Sequence, residues 1–161
     1  MRSYEVFAAM TPESAVRMMK GLNQKAPAVF RQAVDAAAIA MHARPIYLRN
    51  QPFEKRAEAV RRVLARVKIN PVADELLAVY FLECRKELLI EWLDLIGLAH
   101  KEGVLEEDAP AEPAESKLRK AVKTYLAKDD DADRDLLLRA FAAQSSVEWP
   151  TLDALLGASP A

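Results

Sequence analysis

Residues 71–98 read PVADELLAVYFLECRKELLIEWLDLIGL, and the way apolar and charged side chains alternate along them points to the fold class. Pro71 suits a first helical turn and Asn70 a cap before it, and apolar residues then recur at helical spacing as far as Leu98. At 100° per residue, Asp74, Glu75, Arg85 and Lys86 share about one third of the circumference. Glu83, Glu87, Glu91 and Asp94 fall on the opposite side. A helix whose polar face reverses either kinks, here between residues 84 and 87, or packs its two ends against partners on opposite faces. Either way little of its surface stays polar throughout, so we expect a long, largely buried hub.

The flanking sequence fits helices around such a hub. Thr11-Pro12 is a cap followed by a first-turn proline, with Gly21 where that helix would stop. Phe30, Val34, Ala37 and Met41 repeat at helical spacing between Pro27 and Arg44-Pro45, beside a stripe of Ala33, Ala36, Ala40 and Ala43 that admits a close neighbour. Phe53, Ala57, Val60, Leu64 and Val67 define an amphipathic helix after Pro52. Toward the C-terminus, Leu118, Ala121, Val122 and Tyr125 mark a helix over about 114–127, Leu136 to Gln144 another, and Leu152, Leu155 and Leu156 a last one after Trp149-Pro150. Trp92 and Trp149 sit among leucines as core anchors.

The chain has 161 residues, with 29 alanines against 4 glycines, which favours helices over tight turns. We expect one all-α domain over 1–161, a compact bundle of six or seven helices around the hub at about 71–98. An acidic loop over about 97–113 and a loose tail over 157–161 complete it, and Gly97 to Leu105 is the one stretch that could return as extended chain. No helical pair repeats at a solenoid period.

Met1 to Phe7 carries the acid Glu5 inside its short apolar run, with no stretch of seven or more apolar residues behind a basic start, so no signal peptide is expected, and the charges between Glu83 and Asp94 argue against a membrane span there. One cysteine, Cys84, excludes an intramolecular disulfide and a Cys-based zinc site, and suits a reducing cytoplasm. The Ala, Arg and Leu bias suits a high-GC bacterial genome.

The net charge of −1 hides an asymmetry: residues 1–70 carry 13 basic and 5 acidic side chains, residues 71–161 carry 10 and 19. Lys55, Arg62 and Arg66 align opposite the apolar stripe of their helix, with Arg56 and Arg61 at the margin. Such a ridge suits an anionic partner, although no helix-turn-helix signature or interleaved aromatics accompany it. Ile46-Tyr47-Leu48 lies in an expected loop between Pro45 and Pro52, where an apolar segment packs back or meets a partner.

Catalytic and metal signatures are lacking. Neither His42 nor His100 follows a Glu by three residues, so the row Glu83, Glu87, Glu91, Asp94 reads as a solvated or ion-paired face rather than a metal site. Cys84 reads as a buried small hydrophobe. His100, just past the helix end at Gly97, is the better placed histidine for ligand contact or proton transfer, with local capping the simpler role. No glycine-rich phosphate loop occurs, so we expect no cofactor and no metal. The expectation is a non-catalytic cytoplasmic helical module binding another protein or itself. A small nucleic-acid-associated or regulatory protein using the basic ridge is the alternative, and a small helical enzyme working near His100 a remote one.

Overall fold

The computed structural model describes residues 1–68, 71–128 and 131–157. Ten α-helices occur among them: α1 (Ser3–Ala9), α2 (Pro12–Lys25), α3 (Pro27–Ala40), α4 (Pro45–Arg49), α5 (Phe53–Leu64), α6 (Pro71–Val79), α7 (Lys86–Ile96), α8 (Glu115–Ala127), α9 (Ala132–Ala143) and α10 (Pro150–Gly157). Two short strands, β1 (His100–Lys101) and β2 (Val104–Leu105), pair antiparallel with His100 opposite Leu105. The class is all-α, as expected. The count exceeds six or seven because α1 and α4 were not anticipated and the 71–98 helix is divided. The expected Asn70 cap and most of the 157–161 tail lie outside the described residues.

That division is the main correction to the hub. α6 runs into a π-helical turn over Tyr80–Cys84, and Arg85, at φ −133° and ψ 42°, leaves helical geometry before α7 begins. The break answers the reversal of the polar face. The wider turn lets the consecutive Tyr80 and Phe81 both be buried, and α7 restarts with Leu88, Leu89, Trp92, Leu93 and Ile96 inward. The chain accordingly forms two compact units, residues 2–84 and Arg85 onward with Met1.

In the first unit α3 is the centre, packing against α2, α4, α5 and α6 through Phe30, Ala33, Val34, Ala37 and Ala38. Met41, expected inward, is exposed beyond the helix end. Thr11 caps α2 as read from sequence, its Oγ1 accepting from the Ser14 N–H at 3.1 Å. Gly21, however, does not end α2, which continues to Lys25. A Cβ there would sit 3.1 Å from the Tyr80 ring and 3.4 Å from the Cys84 sulfur, so the glycine serves the close approach of the π-helical turn. α1 has its own signal, since Glu5 Oε2 accepts from the Arg2 N–H at 2.6 Å.

Helices α3 and α7 end in the same motif with different residues. At α7, the Leu98 N–H reaches the Leu93 carbonyl and the Gly97 N–H the Asp94 carbonyl, with Gly97 at φ 75°. At α3, the Ala43 N–H reaches Ala38 and the His42 N–H reaches Ile39, with His42 at φ 56°. This is the Schellman arrangement, which places a left-handed residue after the helix, a position that costs a side chain about 1–2 kcal/mol. His42→Gly removes that cost, an effect partly offset by the greater unfolded-state entropy of glycine, and is expected to stabilise the chain by about 0.5–1 kcal/mol net in thermal melts.

In the second unit, α8 packs against α7, α9 and α10. Leu118, Ala121, Val122 and Tyr125 are its buried face, the four residues the periodicity picked out. Trp92 stands edge-on to Tyr125 and Phe141, and Phe141 edge-on to Trp149. Ion pairs tie the starts of α7 and α9 together. Arg85 donates to Asp131 at 2.6 Å and Asp133 at 2.5 Å, while Arg134 donates to Glu91 at 3.0 Å and lies over the Tyr125 ring. The 97–113 segment is anchored at its far end, where Trp149 Nε1 donates to the Pro110 carbonyl at 2.8 Å. There Glu112 accepts from the Thr151 and Leu152 N–H groups at the start of α10. No helix among the described residues is long and apolar enough to cross a membrane.

Candidate functional site

Two surface features of the first unit carry chemistry, and both depend on how α3 and α4 meet. The Ile46-Tyr47-Leu48 segment is not a loop: Pro45 opens the five-residue helix α4, whose inward side chain is Leu48, 5% exposed. Leu48 therefore belongs to the core. Ile46 and Tyr47 point outward at 63% exposure each, and the end of α3 adds Ile39 at 66% and Met41 at 52%. All four fall in the short stretch that turns from α3 into α4, flanked by the exposed side chains of Arg44 and Arg49. Periodicity predicted Met41 as core. The early end of α3 at Ala40 turns it out instead.

The second feature is a cleft of ≈ 240 Å³ lined by residues of α2, α3, α4 and α5, including Asn23, Phe30, Arg31, Val34, Arg49 and Arg56. Three of the six are arginines. Arg49 forms a two-pronged pair with Asp35, Nε to Oδ1 at 2.7 Å and Nη2 to Oδ2 at 2.5 Å. That hydrogen bond, with the charges of Arg49 and Arg31, holds the Asp35 carboxyl below the usual carboxylate range against the opposing pull of burial. Arg56 pairs with no carboxylate among the described residues. Its guanidinium lies over two rings, 5.7 Å from the Phe30 centroid and 5.4 Å from that of Phe53, and its buried Nε has no hydrogen-bond partner.

Lys55 and Arg62 are exposed on α5, and Arg66 is exposed in the turn beyond its end at Leu64. Arg62 lies 3.5 Å from Glu58, a carboxylate that Arg61 already holds through both oxygens. By units, residues 2–84 carry 13 basic and 8 acidic side chains, a net of +5, and the rest of the chain 10 and 16, a net of −6.

His100 is built into the β1–β2 hairpin. Its Nδ1 accepts from the Gly103 N–H at 3.1 Å, which leaves Nε2 as the protonated nitrogen, 2.7 Å from Asp94 Oδ1. Both ring nitrogens are thereby occupied in holding the turn Glu102-Gly103, where both residues take positive φ. Glu83, Glu87, Glu91 and Asp94 do not form one row. Glu83 lies in the π-helical turn, Glu87 pairs with Arg85, Glu91 with Arg134 and Lys128, and Asp94 with His100. No cluster of three or more His, Cys, Asp or Glu residues suited to a metal occurs among the described residues. Cys84 is half-buried, and burial pushes its thiol above the ordinary value, away from the thiolate a nucleophile needs.

The chain is thus an all-α protein in two compact helical units, with exposed apolar residues on either side of the α3–α4 junction and an arginine-lined cleft in the first. Comparisons with family models, with curated proteins and with solved structures found no match.

Proposed function

We propose that the chain is a non-catalytic helical interaction module that binds another protein through the corner between α3 and α4. The observation that carries this reading is the concentration of Ile39, Met41, Ile46 and Tyr47, each more than half exposed, in one short turn of chain. Scattered exposed apolar residues need no explanation, whereas several large ones gathered at one corner mark a contact surface. Burying each fully contributes about 1.5–3 kcal/mol to association. The exposed cations Arg44 and Arg49 at its edge favour a partner with an apolar centre and an acidic rim. The negative charge of the second unit makes another copy of this chain one such partner. A reducing bacterial cytoplasm is the setting that the lone thiol of Cys84 and the Ala, Arg and Leu bias suggest.

A photo-activatable aromatic residue placed at position 47, in the producing cell, tests the reading. One discrete protein adduct is expected there, lost when Ile46→Asp is added, with none from the same probe at Leu126, an exposed apolar position of the second unit. Equal yields at both positions would overturn it. An adduct of twice the chain mass would identify self-association.

A second reading rests on Lys55, Arg62 and Arg66, all exposed, as a phosphate-contacting ridge. It requires binding to duplex DNA or RNA whose affinity falls steeply with salt and weakens when the three are replaced by Gln.

A further inference from the structure

We propose that the cleft lined by α2, α3, α4 and α5 binds a phosphate monoester, with Arg31, Arg49 and Arg56 as the anion-holding residues. Three guanidiniums line a space of ≈ 240 Å³, and one neighbouring carboxylate, Asp35, answers only Arg49 by hydrogen bond. Three positive charges against one negative leave two uncompensated, which is the charge of a terminal phosphate at neutral pH.

The three arginines are held differently, and each arrangement suits an oxyanion. Arg49 is fixed in orientation by its bond to Asp35 through Nε and Nη2, so its Nη1 has no protein partner among the described residues. Arg56 is clamped over Phe30 and Phe53 instead of being neutralised, which preorganises a planar donor fork at little further entropic cost. Arg31 is exposed and acts on Asp35 only through its charge, so it can close over a bound anion. Asn23 supplies a neutral amide donor, and Phe30 and Val34 an apolar wall. This combination fits a phosphate on a compact apolar or aromatic stem, a small phosphomonoester, better than the repeated single charges of a nucleic-acid strand. A carboxylate would satisfy one of the two spare charges.

Phosphate recognition usually announces itself through a glycine-rich loop or a helix N-terminus. Here the donors are side chains far apart in sequence, brought together only because α3 is flanked by α2, α4 and α5. That is why no motif marks them.

Isothermal titration of the full chain with phenyl phosphate, inorganic phosphate and benzoate, at neutral pH and fixed ionic strength, tests the assignment. Saturable single-site binding is expected, in the order phenyl phosphate, inorganic phosphate, benzoate. Arg31→Gln changes an exposed side chain and should fold as wild type by circular dichroism, yet weaken phenyl phosphate binding about tenfold or more. Arg56→Lys is expected to do the same, and Arg119→Gln, an exposed residue of α8 in the second unit, to leave it unchanged. A short oligonucleotide bearing a 5′-phosphate should compete with phenyl phosphate and its 5′-hydroxyl counterpart should not. Absence of saturable binding, an Arg31→Gln variant with wild-type affinity, or equal competition by both oligonucleotides would each overturn the proposal.

Discussion

Arg85→Met is expected to destabilise the second unit by about 3–5 kcal/mol, the usual consequence of removing one partner of a buried ion pair. Asp133 is fully buried and its carboxylate faces the Arg85 guanidinium at 2.5 Å; methionine fills comparable volume but leaves that charge without its cation. Asp131, at 2.6 Å, loses its strongest hydrogen bond as well. Urea unfolding followed by tryptophan fluorescence reads this unit alone, because Trp92 and Trp149 are the only tryptophans and both lie in it. Adding Asp133→Asn should recover a large part of the loss, since an amide costs less to bury than a carboxylate that has lost its Arg85 guanidinium. If the double variant is no more stable than the single one, the loss comes from packing and not from charge.

The pH dependence follows from the same group. Arg85 holds the Asp131 carboxyl below its ordinary value, and Arg134, then Lys128, do so for Glu91. A carboxyl lowered in the folded state binds its proton more readily when unfolded, so it adds stability above the ordinary carboxylate range. That stability is lost as pH falls through and below about 4. Wild type should therefore lose stability on acidification, and its advantage over Arg85→Met should shrink there as Asp131 takes up its proton.

Trp149→Ala is expected to cost about 3–5 kcal/mol, the range for emptying a large buried aromatic site. Its ring lies against Phe141 at 5.2 Å between centroids, and its Nε1 donates to the Pro110 carbonyl in the 97–113 segment. The phenylalanine variants separate those two contributions. Trp149→Phe keeps an aromatic but strands the buried Pro110 carbonyl, whereas Trp92→Phe removes an indole N–H that has no partner among the described residues. Trp149→Phe should thus cost at least about 1 kcal/mol more than Trp92→Phe in circular-dichroism melts. Equal losses would mean that the Pro110 bond contributes nothing and that the segment is held by Glu112 at α10 instead.

The candidate site was only partly legible beforehand. Ile46 and Tyr47 were identifiable as apolar residues between prolines, but Ile39 and Met41 were hidden because helical periodicity carries on past the point where α3 stops. His42 taking the left-handed position at that end has no strong sequence signal, since glycine is the residue normally read there. The cleft was less legible still. In sequence Arg56 stands at the margin of the α5 ridge, and nothing in the linear order joins it to Arg31 and Arg49.

What the sequence determined by itself was whatever depends on neighbours within a few turns. That covers the all-α class, the Thr11 cap, the buried face of α8, the restart of polarity between residues 84 and 87, and the extended return near His100. Each rests on interactions between residues close in sequence, where side-chain chemistry and local backbone geometry suffice. Only tertiary structure decided that residues 71–98 are two helices in two units, that Gly21 is a point of close approach, and that Leu48 is core while Tyr47 is not. It alone decided that three arginines from three helices line one cleft. Those outcomes depend on which surfaces meet across long stretches of chain, and the free energy that selects them is burial shared among residues no local pattern connects.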